Sequence, residues 1–158
     1  MTIQSMALIG TGVMGMGIAQ IAAQAGVEVR LFDAKVGAAE AGLAKIKEKK
    51  KKLQAKGKFT EEVLHETLAR FTVLNSIEDV AGVDLVVEAI IENLDIKQSL
   101  FKQLEGIVSA DTILATNTSS LSVTAIASNL EHQGRMAGFH FFNPVPLMKI
   151  VEVIAGLA

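Results

Sequence analysis

The sequence predicts an α/β fold, a doubly wound and mainly parallel sheet with an inserted helical hairpin. Three observations carry this reading. Short apolar runs alternate with helix-forming stretches along most of the 158 residues, a glycine-rich turn joins the first run to the first helix, and a long helical block interrupts the alternation once. Strands alternating with helices imply a parallel sheet covered on both faces.

The elements follow in order. Residues 3–9 read as a strand, residues 10–15 as a tight turn, and residues 16–25 as a helix that Gly26 ends. Residues 27–32 alternate into a second strand closed by Asp33. Residues 34–55 form a long helix with Leu43, Ile46 and Leu53 on its apolar side, broken at Gly57. Thr60 caps a partner helix, with Glu61 and Glu62 in its first turn and Val63, Leu64 and Leu68 facing inward. Strands at 71–74 and 84–89, a helix at 93–104, a strand at 112–115, a short helix at 122–127 and a strand at 136–139 complete the alternation. After a loop holding both prolines, Pro144 and Pro146, the apolar run 150–154 returns. One domain over residues 1–158 is expected.

Composition narrows the chemistry. A net charge of -2 with 50% hydrophobic residues describes a globular domain with ample core material. With no Cys and no Tyr, a thiol nucleophile, a disulfide framework, Cys-ligated zinc and a phenol acid are excluded. The three His (His65, His132 and His140) lack metal-ligand spacing, so no metal is expected and a general base has few candidates. No apolar run approaches the ~20 residues that span a bilayer, and the first residues lack a signal peptide's pattern. A cytoplasmic location without membrane contact is expected. Eight of the 15 basic residues fall between Lys45 and Lys58. No aromatics interleave there to stack bases, and the remainder is acidic, so no nucleic-acid partner is expected.

Gly10-Thr11-Gly12-Val13-Met14-Gly15 has the G-x-G-x-x-G spacing between strand and helix, and Asp33 stands 18 residues after Gly15 at the end of the second strand. That context makes a common motif specific. Gly10 permits the turn, Gly12 admits a pyrophosphate to the backbone, and Gly15 allows close packing of helix on strand, as in Rossmann-type dinucleotide sites. Free N–H groups at the helix start meet the phosphates. Asp33 suits the adenosine ribose hydroxyls and repels a 2′-phosphate, which favours NAD over NADP, although Lys35 close by softens that preference.

If the two-proline loop reverses the chain, His140 and Glu152 lie opposite each other on neighbouring strands. A carboxylate beside an imidazole fixes its tautomer and makes it a better general base near neutral pH. Thr116 to Ser120 are five consecutive hydrogen-bonding side chains, more than one helix cap needs, and at least one is expected to face a substrate.

The glycine motif with Met14, Asp33, VEAIIEN from Val87 to Asn93, TNTSSL from Thr116 to Leu121, and HFFNPVPLMKIVEV from His140 to Val153 together resemble the NAD-binding domain of L-3-hydroxyacyl-CoA dehydrogenases, including the 3-hydroxybutyryl-CoA enzymes. The resemblance covers nearly the whole chain. It implies oxidation of an L-3-hydroxyacyl-CoA to the 3-ketoacyl-CoA in fatty-acid or related acyl-CoA metabolism, with His140 as general base and Glu152 as its orienting partner. It implies that Ser119 bonds the substrate 3-oxygen and that Asn143 positions the centre. Around the cofactor it places Gly10, Gly12, Val13, Met14, Gly15, Asp33, Glu92, Lys97, Ser119 and Asn143. The helical hairpin would help hold the CoA moiety, with Lys49, Lys50 and Lys52 meeting its phosphates; a solvated helix face is the plainer role for such a run.

Family members continue into a helical domain that completes the pocket and forms a homodimer, whereas this chain stops at Ala158. The chain alone is therefore expected to bind NAD and turn over poorly. Two other readings stay open: an NAD-binding module without catalysis of its own, and a dehydrogenase of a small hydroxy acid without CoA.

Overall fold

The structure is a computed structural model that describes residues 2–148 and 150–156; Met1, Lys149 of the C-terminal motif, Leu157 and Ala158 lie outside the described residues. Seven strands form one sheet. In chain order the elements are β1 (Ser5–Ile9), α1 (Val13–Gln24), β2 (Glu28–Phe32), α2 (Ala38–Ala55), α3 (Glu61–Ala69), β3 (Phe71–Val73), β4 (Leu85–Glu88), α4 (Leu94–Glu105), β5 (Ile113–Thr116), α5 (Val123–Ala127), β6 (Met136–Phe141) and β7 (Val151–Ala155). The sheet order is β3-β2-β1-β4-β5-β6-β7. Every neighbouring pair is parallel except β6 with β7.

Strand alternation produces two cores. Met6 and Leu8 of β1 pack with Met16, Ile18 and Ala19 of α1 and Ile46 of α2 on one face. Ala7 and Ile9 pack with Phe101 and Leu104 of α4 and Ile126 of α5 on the other. A strand buried on both sides reads as a continuous apolar run, as β1 and β4 do.

The chain leaves β1 toward β2 on one side and reaches β4 on the other, so the sheet order reverses at β1. In such sheets a crevice opens beyond the carboxyl ends of the strands at that point.

Several boundaries differ from the sequence reading. Helix α1 begins at Val13, not at residue 16, with Gly12 as its N-cap residue in an extended conformation, so the glycine turn passes directly into the helix. Helix α2 begins at Ala38, not at residue 34, because Gly37 takes φ +82, a left-handed conformation that interrupts a right-handed helix. Thr60 caps α3 as expected, accepting the Val63 amide at 3.2 Å. Leu64 faces inward as expected and Leu68 packs partly buried against the core, but Val63 is 48% exposed, and Thr67, three residues after Leu64, shares its buried face.

The loop between β6 and β7 is seated by one close contact. A Cβ added at Gly17 of α1 would stand 2.8 Å from the Val145 Cβ, and Val145 is buried. Gly17→Ala is therefore expected to lower the unfolding free energy by about 1–3 kcal/mol through overpacking, although alanine ordinarily favours a helix. Urea denaturation of the single and double mutants checks this. The pair Gly17→Ala/Val145→Gly, which removes the opposing Cβ, should lose less than the sum of its singles, and strict additivity would contradict the contact.

Candidate active site

Three cavities of about 640, 600 and 540 Å³ meet at Gly12, which lines all of them. The second runs past Gly10, Asp33, Ile90 and Ile96; the third is bounded by Val13, Met14, Glu92, Ser119, His140 and Asn143. The largest lies between α1, α2 and the proline loop and shares Asn143 with the third. The titratable chemistry sits at the third, so volume does not mark the reacting centre.

The glycine turn is shaped by close approach. Gly10 has φ +99, and a Cβ there would lie 2.5 Å from the Ala89 carbonyl oxygen; one at Gly15 would collide with the carbonyl of Gly10. Gly12 differs, since a Cβ built on it meets nothing within 4 Å. Open space beside an extended backbone at a helix start is where a pyrophosphate fits.

Asp33 is held at the turn by Thr11. Its Oδ2 accepts the Thr11 amide at 2.8 Å and the Thr11 hydroxyl at 2.7 Å, while Oδ1 accepts the Lys35 amide at 2.9 Å. Partial burial pushes the Asp33 carboxyl up, but the amides of Thr11 and Lys35, the Thr11 hydroxyl and the Lys35 charge together hold it below its ordinary value.

On the other side of the crevice, Glu92 borders the His140 cavity. Its Oε1 meets the Lys97 ammonium at 2.7 Å, and its Oε2 accepts the hydroxyls of Thr118 at 2.7 Å and Ser120 at 3.0 Å. Burial raises the Glu92 carboxyl, while Lys97, Thr118 and Ser120 bring it net below its ordinary value. Lys97 is fully buried and lines none of the three cavities; it reaches their surface through Glu92. Its second partner is Glu88 at 2.8 Å, also fully buried.

Strands β6 and β7 bring the C-terminal pair together. His140 and Glu152 are register partners, and His140 Nδ1 lies 3.3 Å from Glu152 Oε2. The imidazole packs at a tilt on Phe142, with ring centroids 4.6 Å apart. Among the described residues the other nitrogen, Nε2, has no hydrogen-bond partner. Ser119 stands between Thr118 and Ser120, the two residues that Glu92 fixes, and lines the same cavity as His140. Asn143 lines it too, at the start of the proline loop.

The lysine run is divided by helix geometry. Lys45 and Lys49 border the largest cavity. Lys52 is exposed and pairs with Glu48 at 3.3 Å. Lys50 is a correction to the expected phosphate set: four residues after Ile46, it shares the inward face, is only 3% exposed, and holds its ammonium 5.2 Å from the Phe59 ring centroid. Burial, and then the charge of Lys49, push its pKa down.

A profile of the family described as "3-hydroxyacyl-CoA dehydrogenase, NAD binding domain" matches residues 5–158. The chain belongs to this family. It is 46% identical to a probable 3-hydroxybutyryl-CoA dehydrogenase of Bacillus subtilis over all of its own length and 55% of the relative's. It is also 46% identical to human mitochondrial hydroxyacyl-coenzyme A dehydrogenase over 96% of its own length and 50% of that protein's. Among solved structures, 3-hydroxybutyryl-CoA dehydrogenase from Escherichia coli superimposes with a TM-score of 0.95 at 42% identity, covering 100% of this chain and 34% of that one. The chain thus spans about half, or less, of the family members it matches. NAD is the cofactor of the matched domain.

Sequence reasoning missed Thr11, Asn117, Thr118 and Ser120 as individual contributors, and gave Glu88 no role beyond its place in the VEAIIEN stretch. Asn117 lines the His140 cavity and accepts the Phe141 amide at 3.4 Å. Two signals pointed to the Glu88 network. Glu88 ends a strand that is otherwise Leu-Val-Val, and Lys97 falls at i, i+4 and i+7 with the buried Phe101 and Leu104. An acid and a base each facing a core require one another.

The lowered Asp33 pKa fixes the sign of a pH effect. A depressed native pKa contributes stability that is complete above the unfolded value, about 3.9, and is lost as pH falls through the native one. The stability difference between wild type and Asp33→Asn should therefore be full above about pH 4 and shrink below it. Urea denaturation between acid and neutral pH measures it, and a difference constant with pH would contradict the assignment.

Proposed function

We propose that this chain is the cofactor-binding part of an NAD-dependent L-3-hydroxyacyl-CoA dehydrogenase that oxidises the 3-hydroxyl to a 3-keto group. The observation that carries the reading is the cavity where the glycine turn, Ser119, Asn143 and the His140–Glu152 pair converge. The amides of the α1 start and Gly12 would hold the pyrophosphate, and Asp33 the adenosine ribose. When bound, NAD supplies a nicotinamide that accepts hydride.

Every other task falls to the chain's own side chains. Nε2 of His140 takes the 3-hydroxyl proton as the C3–H bond gives up its hydride, leaving a carbonyl at C3. Glu152, at Nδ1, keeps the imidazole in the tautomer whose Nε2 is a free acceptor and stabilises the imidazolium that forms. Ser119 donates to the 3-oxygen, and Asn143 orients the group between ring and base. Lys45 and Lys49, on the free face of α2, attract the phosphates of a CoA tail.

The full-length protein in this reading is a cytoplasmic homodimer. Val151, Val153 and Ile154 of β7 are exposed apolar side chains suited to further protein contact. Among the described residues no helix is long and apolar enough to cross a membrane.

Two measurements test the reading. Oxidation of NADH with acetoacetyl-CoA should fall by about 100-fold or more in His140→Gln, with the Kd for NAD unchanged. Retained turnover would favour a base elsewhere. Replacing Lys45 and Lys49 with Gln should raise the KM for acetoacetyl-CoA much more than that for NADH, and equal changes would remove the lysines from CoA binding.

A further inference from the structure

Glu88 belongs to no step described above. It is fully buried at the end of β4 and outside the His140 cavity, yet every partner it has donates to it. The Ile90 amide and the Lys97 ammonium reach Oε1, each at 2.8 Å, and the Thr116 hydroxyl reaches Oε2 at 2.5 Å. Glu92 likewise accepts from all its partners, Lys97 among them. Two carboxylates thus share one ammonium, and among the described ion pairs neither has another cation.

An excess anion withdrawn from water is costly unless a positive charge comes near. The unit opens only through Glu92, whose side chain is 39% exposed beside His140. A cation bound in the cavity would meet the unit at this exposed end. In the dehydrogenase reading above, on which this inference rests, that cavity takes the nicotinamide, which is cationic when oxidised and neutral when reduced.

We propose that Glu88, Lys97 and Glu92 form one electrostatic unit with a net charge of about -1 that favours the oxidised over the reduced cofactor, with Glu88 as its positioning residue. Glu88 holds Lys97 inside the fold, and Lys97 holds the Glu92 carboxylate at the cavity wall. Removing either carboxylate neutralises the unit, whether or not the residue borders the cavity.

The test is titration of NAD, NADH and ADP-ribose, the last lacking the nicotinamide, into wild type, Glu88→Gln and Glu92→Gln. In both variants the ratio of the Kd for NAD to that for NADH should rise about tenfold, equivalent to ~1.4 kcal/mol, with ADP-ribose affinity unchanged. A purely structural Glu88 would weaken all three ligands alike or none, and either result overturns the proposal. Should Glu88→Gln not fold, Glu92→Gln decides alone, since an unchanged ratio in that folded variant is equally fatal. If wild type binds ADP-ribose but neither NAD nor NADH more tightly, the nicotinamide reading itself fails and takes this inference with it.

Discussion

The site depends on how closely α1 can approach the end of β1. Only glycine at positions 10 and 15 leaves room for that approach, and it brings the helix start to the point where the sheet order reverses. Once α1 is seated there, its free amides face the crevice, and Gly12 becomes the meeting point of three cavities. Neighbouring strands then deliver the rest. Asp33 follows β2, Glu88 ends β4, Thr116 ends β5, and His140 lies near the end of β6. Parallel strands place all of these carboxyl ends on one edge, so chemistry spread over more than a hundred residues of sequence gathers in one place.

The antiparallel return of β7 is the one departure from this pattern, and it has a use. A parallel neighbour would need a crossover of a dozen or more residues, whereas the short proline loop lets β7 pair directly with β6. Direct pairing makes His140 and Glu152 register partners. The same loop, pinned through Val145 against α1, carries Asn143 to the boundary between two cavities. Helix α1 and the end of β6 are therefore tied together through this loop.

Much of this was legible in the sequence because it rests on local or strictly periodic constraints. The glycine spacing, the acid after β2 and the apolar runs each act over a few residues, and the His140/Glu152 pairing follows once a loop with two prolines reverses the chain. What escaped was set by helix phase and tertiary partners. Lys50 looks like its neighbours in a basic run, but it falls one turn after Ile46 and turns inward. Val63 looks apolar enough for a core, but Leu64 and Thr67 hold the buried face. Glu88 was hidden because its partner Lys97 is nine residues away on the next helix, and neither has a meaning without the other.

The dehydrogenase reading requires one crevice to hold the dinucleotide with its reactive end beside His140. The most direct measurement is a crystal structure of the chain with NAD bound. The pyrophosphate is expected at Gly12 and the α1 start, the adenosine ribose on Asp33, and the nicotinamide in the cavity shared by Glu92, Ser119 and His140. A nicotinamide bound outside that cavity, with His140 facing solvent, would contradict it.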